Sequence, residues 1–164
     1  MNALPLSLLR NQPQSVGDPY LKFQLDRQTP AVLAMHYAQE VLEVPVERLT
    51  PMPNMPPYLL GLLNWRSRAL WVVDLANMLG LQPLNPLSQV YSIVILRCEP
   101  SLVGLALQDV EGVMRVQADA IQSPVGVVAT KLVPYLQGCF LDHQQILLVL
   151  DAAAIARSPL LHSH

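Results

Sequence analysis

The sequence contains the segment PYLLGLLNWRSRALWVVDL at residues 57–75 and a second version of it, PYLQGCFLDHQQILLVLDA, at residues 134–152. The two segments align without a gap, and the alignment keeps a Pro-Tyr-Leu triplet, a glycine and an aspartate in register. Self-similarity at one fixed spacing is the signature of a repeated structural unit. The chain is therefore predicted to contain two copies of one small unit.

Composition favours short strands over long helices. Apolar residues make up 52% of the 164 residues, which is enough for a packed core, and 15 residues are prolines. Proline interrupts helices because it lacks a backbone N–H and clashes with the preceding turn. Near the start of the chain, three apolar residues alternate with two polar ones, the period-two pattern of a half-buried strand: Leu21, Lys22, Phe23, Gln24 and Leu25. We therefore predict an all-β fold.

The repeat also predicts how the chain is divided. We expect a loose polar lead-in at residues 1–18, a single domain at residues 19–155 and a frayed tail at residues 156–164. About five short strands per copy are too few for an open exposed sheet, whereas closing each sheet into a small barrel removes its edges. The first barrel is expected at about residues 20–80 and the second at about residues 90–155, with an exchange of strands between them left open.

Four residues that match between the copies have structural interpretations. Asp74 and Asp151 each end an apolar strand and precede a short helical segment, where an aspartate caps the first N–H groups. A pair of catalytic carboxylates is the other interpretation, but the same position in both copies favours capping. Gly61 and Gly138 are interpreted as sites of a bulge or a close strand approach rather than of direct partner contact.

Charge and motif content argue against several function classes. The 10 Lys and Arg residues nearly balance the 12 Asp and Glu residues, so no basic surface for nucleic acid is expected. No apolar run reaches the roughly 18 residues of a spanning helix, so no direct membrane insertion is expected. The sequence has no phosphate-binding glycine loop, metal-ligand spacing or nucleophile motif, and Cys98 and Cys139 are expected as buried free thiols. We predict no catalytic residue, no cofactor and no metal site.

Several spaced motifs resemble those of the CheW-like chemotaxis coupling proteins. The central motif, at residues 58–75, has a glycine, then Asn-x-Arg, then an apolar strand that ends in Asp-Leu. The remaining motifs lie at residues 39–41, 103–105, 135–138 and 150–151. They occur in the order of the family, and together they cover roughly residues 20–155.

This resemblance implies two small SH3-like, five-stranded β-barrels with short capping helices. It implies a non-catalytic adaptor that couples the cytoplasmic helical hairpin of chemoreceptors to the regulatory domain of a CheA-type histidine kinase. Such a protein works in a chemotaxis, twitching or phototaxis pathway, in the cytoplasm, recruited to membrane receptor arrays. The alternatives are a small β-barrel that binds a small ligand and a homologue of the kinase's own regulatory domain.

The resemblance places a receptor-binding site at the turn of the first repeated segment. Arg66 matches the arginine of the family's Asn-x-Arg motif, and an arginine presents five N–H donors on a rigid fork. Asn64 lies two residues before it, and Glu40 is a polar residue in an otherwise apolar strand that is placed to orient Arg66 or to meet the receptor. Trp65 is either part of the core or part of the interface.

The family docks its first barrel against the kinase, and we expect Val41, Leu42 and Val44, with the proline-rich loop after them, to form that surface. Core packing of Val41 and Val44 is the alternative. The sequence departs from the family pattern at Ser67, where the family has glycine. If that position has a positive φ, serine costs on the order of 1 kcal/mol.

Overall fold

The computed structural model describes residues 17–162 and has the predicted all-β fold. Among these residues, each copy of the repeat supplies five strands. The first copy supplies β1 (Asp18–Gln24), β2 (Pro30–Ala34), β3 (Ala38–Pro45), β4 (Leu59–Trp65) and β5 (Arg68–Asp74). The second supplies β6 (Val90–Cys98), β7 (Ser101–Leu107), β8 (Asp109–Val116), β9 (Leu136–Asp142) and β10 (Gln145–Leu150).

Helices are short, as the proline content predicts. The structure has α1 (Leu75–Met78), α2 (Ala152–Ala156) and α3 (Pro159–His162), besides several 3-10 turns. Within the described chain, no helix has the length and apolar character needed to cross a membrane. The lead-in predicted for residues 1–18 lies outside the described residues except for its last two. The frayed tail predicted for residues 156–164 contains α3, while residues 163–164 lie outside the described part.

The ten strands form two five-stranded sheets that exchange strands between the copies. Sheet A has the order β8-β1-β2-β10-β9, and sheet B has the order β3-β6-β7-β5-β4. Each sheet therefore combines the first two strands of one copy with the last three strands of the other. The sheets do not follow the division into residues 20–80 and 90–155, because β1 and β2 leave the first copy and β6 and β7 leave the second.

Two short parallel pairings join the exchanged strands. In sheet A, β2 pairs in parallel with β10 at two positions, and in sheet B, β5 pairs in parallel with β7 at three. Parallel neighbours need a long crossover connection. Between β2 and β10 that connection runs through sheet B, and between β5 and β7 it consists of α1 and β6. Each sheet curls into a barrel, which we call barrel A and barrel B after its sheet.

Three apolar clusters fill the part of the molecule formed by residues 17–162. One lies inside barrel B and includes Val72, Ile93 and Ile95, and one lies inside barrel A and includes Val32 and Val149. The largest cluster, which we call the central core, combines residues of both sheets with residues of α1 and α2. Strands such as β6 are apolar on both faces because one face points into a barrel and the other into the central core.

The aspartates that end β5 and β10 cap the helices that follow them. The Asp151 carboxylate accepts the Ala154 N–H at 3.0 Å. Asp74 accepts the Asn77 N–H at 3.2 Å and, through its second oxygen, the N–H of Leu84 at 2.9 Å. Burial raises the pKa of Asp74, and these two N–H bonds oppose that rise. Asp74 thus fixes the chain after α1 as well as capping the helix.

The repeated glycines lie where another segment crosses the strand. A Cβ on Gly61 would stand 2.6 Å from the Thr50 carbonyl oxygen, and a Cβ on Gly138 would collide with the carbonyl of Gln122. Thr50 exchanges two backbone hydrogen bonds of 2.9 Å with Leu62, and Gln122 makes the same exchange with the residue after Gly138. The pairing register also shifts beside both glycines, so the predicted bulge and close approach both occur.

The two repeated segments each form a hairpin, β4–β5 in the first copy and β9–β10 in the second, and we call these the first and the second hairpin. Each turns through two residues with positive φ. In the β4–β5 hairpin, φ is 48° at Arg66 and 64° at Ser67, and in the β9–β10 hairpin it is 49° at His143 and 69° at Gln144. Two positive φ values in a two-residue loop are typical of the type I′ turn, which glycine and asparagine fit best. Ser67 therefore has a positive φ. In this conformation serine is expected to cost on the order of 1 kcal/mol relative to the glycine of the family pattern.

We predict that Asp74→Ala destabilises the protein more than Asp151→Ala does. Asp74→Ala removes two hydrogen bonds from N–H groups and the link to the chain after α1, which should lower the free energy of unfolding by about 2–3 kcal/mol. Asp151→Ala removes one capping bond and should lower it by about 1 kcal/mol. Urea unfolding of the two variants measures the difference in the free energy of unfolding. Equal losses would contradict the anchoring role of Asp74.

We predict that Ser67→Gly stabilises the protein by about 1 kcal/mol, because glycine adopts a positive φ without a Cβ clash. For a chain of this size that corresponds to a melting temperature higher by roughly 2–4 °C. Ser67→Ala is the matched control, since it keeps the Cβ and should give no gain. A glycine variant that melts at or below the temperature of the parent would show that the turn is not strained.

Candidate interaction site

The closure of barrel B brings together the predicted receptor-binding residues of two distant segments. β3 and β4 are the two edge strands of sheet B, so they meet only when the sheet curls. Glu40 lies near the start of β3, and Trp65 and Arg66 lie at the end of β4 and in the turn after it. Barrel closure therefore places a carboxylate beside an indole and a guanidinium.

One carboxylate oxygen of Glu40 serves both partners. Trp65 Nε1 donates to Glu40 Oε1 at 2.9 Å, and Arg66 Nη2 lies 3.4 Å from the same oxygen. The Arg66 Cζ atom stands 4.7 Å from the centroid of the Trp65 ring. An arginine over an indole face is attracted by the ring quadrupole, by about 0.5–1 kcal/mol at an exposed site. We call these three residues the Arg66 cluster.

The Arg66 cluster is fixed at its base and open at its tip. Trp65 is half-buried and packs against the interior of barrel B, while its N–H is held by Glu40. The Arg66 side chain is 68% exposed, whereas that of Glu40 is 35% exposed. An exposed ion pair of this kind stabilises the fold little. Its main effect is to restrict where the guanidinium can be.

The two interpretations of Trp65, core and interface, both describe part of its environment. Its ring contributes to the packing of barrel B, and its upper face supports the exposed Arg66. Its hydrogen bond to Glu40 was not part of the sequence prediction. The polar Glu40 in an apolar strand is the signal that points to such a bond.

Asn64 does not join the Arg66 cluster. It is exposed on β4 opposite Ala69 of β5, and strand alternation places it on the other face from Trp65. Over residues 17–162, no hydrogen bond or ion pair links Asn64 to Glu40 or to Arg66.

The predicted kinase-binding strand is only partly accessible, and Val44 is a correction. Val44 is 5% exposed and packs inside barrel B, so its side chain is not available to a partner. Leu42 is half-buried against the same interior, and Val41 is half-buried against the central core. In the proline-rich loop that follows, Met52 is 42% exposed. The accessible apolar surface here therefore consists of parts of Val41 and Leu42 together with Met52.

The second hairpin differs from the first at the equivalent positions. Leu141 and Ile146 form an exposed cross-strand pair there, where the first hairpin has Asn64 and Ala69. The turn residue that corresponds to Arg66 is His143. This apolar pair was not predicted from the sequence, although the alternation along β9 and β10 places both side chains outward. The repeated fold thus carries a charged hairpin on one barrel and an apolar one on the other.

Known proteins with similar sequences point to one family. A family model described as the CheW-like domain matches residues 19–160. The chain is 34% identical over 73 residues to the probable chemotaxis protein CheW of Rhizobium etli, which covers 44% of this chain and 46% of that protein. This match spans about half the length of that relative. A longer match, 27% identical over 148 residues, covers 87% of this chain and 85% of the chemotaxis protein CheW of Treponema pallidum.

A further relative and a solved structure agree with this family. The chain is 28% identical over 126 residues to Protein PilI of Pseudomonas aeruginosa, covering 77% of this chain and 68% of that protein. The fold matches the crystal structure of scaffolding protein TtCheW from Thermoanaerobacter tengcongensis with a TM-score of 0.72, at 20% identity over 83% of this chain and 90% of that one. Because the family model spans both barrels and the hairpin with the Arg66 cluster, the chain belongs to the CheW-like domain family.

Proposed function

We propose that this protein is a non-catalytic adaptor that couples the signalling tips of chemoreceptors to a CheA-type histidine kinase. The observation that carries the proposal is the Arg66 cluster, which is built at the family's Asn-x-Arg motif. The second hairpin has different turn residues and a different outward face, so the cluster marks one barrel for a distinct contact. Such an adaptor acts in the cytoplasm and is recruited to membrane receptor arrays by its partners.

The receptor contact rests on the exposed guanidinium of Arg66. Arginine binds carboxylates and carbonyl oxygens through several N–H groups in a fixed plane. Stacking on Trp65 and pairing with Glu40 restrict the side chain before the partner arrives, which lowers the entropy lost on binding. The partner is a helical hairpin of a receptor that offers carboxylates, with Asn64 as a neighbouring polar contact.

The kinase contact rests on the outer surface of β3 and the loop that follows it. Val41 and Leu42 are half-buried, and Met52 presents an exposed apolar side chain beside prolines. A proline-rich loop loses little conformational entropy on binding because its backbone is already restricted. The regulatory domain of the kinase would dock against this side of barrel B.

A ligand-binding barrel is less well supported. Small-molecule sites are concave and lined by a few convergent polar groups. The interiors of barrels A and B are filled by their own apolar side chains, as is usual for small barrels. A thermal-shift screen with metabolites, run beside the partner assays below, separates the two functions.

We predict that Arg66→Glu weakens receptor-dependent activation of the kinase roughly thirtyfold, the equivalent of about 2 kcal/mol for a desolvated arginine contact. The substitution should change the melting temperature little, since an exposed turn charge contributes under about 0.5 kcal/mol to stability. The matched control is His143→Glu, which changes the equivalent turn of the second hairpin and should leave activation intact. The assay combines the protein, receptor cytoplasmic fragments and the kinase.

Two outcomes would contradict this assignment. Unchanged activation by Arg66→Glu would make Arg66 an ordinary solvated turn residue. A melting temperature lowered by many degrees would make its pairing with Glu40 structural.

We predict that Met52→Glu lowers the affinity for the isolated regulatory domain of the kinase about tenfold, because a charge would be buried against an apolar partner. Binding of receptor fragments should not change. Val113→Glu is the matched control, since it places a carboxylate on an exposed position of β8, in the other barrel. Calorimetric titration measures both affinities. Equal affinities of the Met52 and Val113 variants for the regulatory domain would show that this loop is not part of the kinase-binding surface.

A further inference from the structure

The parallel strands β5 and β7 are apart at their first residues and pair only further along the chain. They pair only over Val72–Asp74 and Gly104–Ala106, although β5 begins at Arg68 and β7 begins at Ser101. The opposite edges of the two strands are occupied by β4 and β6. The first residues of β5 and β7 therefore face each other across a gap, and each presents a strand edge without a β-partner.

This gap is a cleft with an apolar and cationic lining. Its volume is about 370 Å³, within the range of about 300–1,000 Å³ that is typical of ligand sites. Trp71 and Leu102 line it from the two strands, and Leu161 and His162 close it from α3. Arg68 stands at its edge with an exposed side chain. None of the described residues that line the cleft is acidic.

The wall formed by α3 is held in place by buried and half-buried polar groups. Ser158 is buried, and its hydroxyl lies 3.0 Å from the Tyr135 hydroxyl. Tyr58 Oη donates to the Leu160 carbonyl at 2.7 Å, and the ring of His162 forms a 2.7 Å hydrogen bond with the main chain of α2. The cleft is therefore formed before any partner binds, which reduces the entropy cost of occupying it.

We propose that this cleft binds an extended peptide segment of a partner protein, one that carries an apolar side chain next to a carboxylate. The strand edges of β5 and β7 offer main-chain hydrogen bonds to an extended chain. Trp71 and Leu161, which both pack against the central core, contact the apolar side chain. Arg68 pairs with the carboxylate in a lining that has no acidic residue among the described residues. None of the three residues of the Arg66 cluster lines the cleft, so this site adjoins the proposed receptor contact, through the pairing of Arg68 with Trp65, without sharing a residue with it.

The positive charge at the start of the second strand occurs in the first hairpin and not in the second. At the equivalent positions of the second copy, Gln145 replaces Arg68 and Leu148 replaces Trp71. The hairpin fold therefore accepts glutamine at the start of its second strand. This makes Arg68→Gln a substitution that removes the charge and keeps the local structure.

The test is an NMR titration of the full chain with two capped peptides, acetyl-Val-Leu-Glu-Val amide and its matched form with glutamine in place of glutamate. We expect amide shifts at residues 69–71 and 101–103 with the glutamate peptide. Loss of the charge pair, by Arg68→Gln or by the glutamine peptide, should weaken binding roughly fivefold, as expected for an ion pair at an exposed edge. The two changes together should cost no more than one alone. Arg115→Gln, on β8, is the control that should keep full affinity.

Three results would overturn the proposal. The first is the absence of amide shifts at these residues with millimolar peptide. The second is binding that is equally strong for the glutamine peptide and for Arg68→Gln. The third is a set of shifts at the same residues that grows with protein concentration in the absence of peptide, because the occupant would then be a second copy of this chain.

Discussion

The exchange of strands between the two copies is the constraint on which the remaining structure depends. In each sheet, one short parallel pairing and one long antiparallel pairing join strands of different copies: β2–β10 and β1–β8 in sheet A, and β5–β7 and β3–β6 in sheet B. With the strands exchanged, neither copy can close a barrel alone, and the faces that point away from the barrel interiors share one central core. The hairpins, caps and crossing loops all take their positions from this arrangement.

The two copies have the same backbone arrangement but different side chains, and these side chains give each hairpin its own surface. Both hairpins have the same kind of turn and the same bulge, and each is crossed by a short segment, at Thr50 in the first and at Gln122 in the second. Their backbones are therefore equivalent. The side chains differ: the first hairpin carries Trp65, Arg66 and Arg68, and the second carries the exposed pair of Leu141 and Ile146. A partner that recognises one hairpin is therefore not expected to recognise the other.

The features that sequence reasoning predicted are those that repeat locally. Asp74 and Gly61 recur at one spacing in the second copy, and their roles follow from the strand end and the close approach at which they lie. The strand exchange was left open because it depends on pairings between segments far apart in the chain, which no local pattern encodes. Val44 was misassigned because alternation along β3 does not tell which face points into the barrel. The bond between Trp65 and Glu40 exists only after the barrel closes.

The central claim is that the exchanged strands make the two barrels one cooperative unit, and comparing the unfolding of the barrels tests it most directly. Both tryptophans lie in sheet B, so their fluorescence follows the unfolding of that sheet, while β9 of sheet A carries Cys139, whose thiol is buried in the central core and becomes reactive when that strand unfolds. In a Cys98→Ser background, urea unfolding would be followed by fluorescence and by the reactivity of the Cys139 thiol. The account predicts one transition with the same midpoint for both probes. Two separate midpoints would show that the barrels unfold independently and would contradict it.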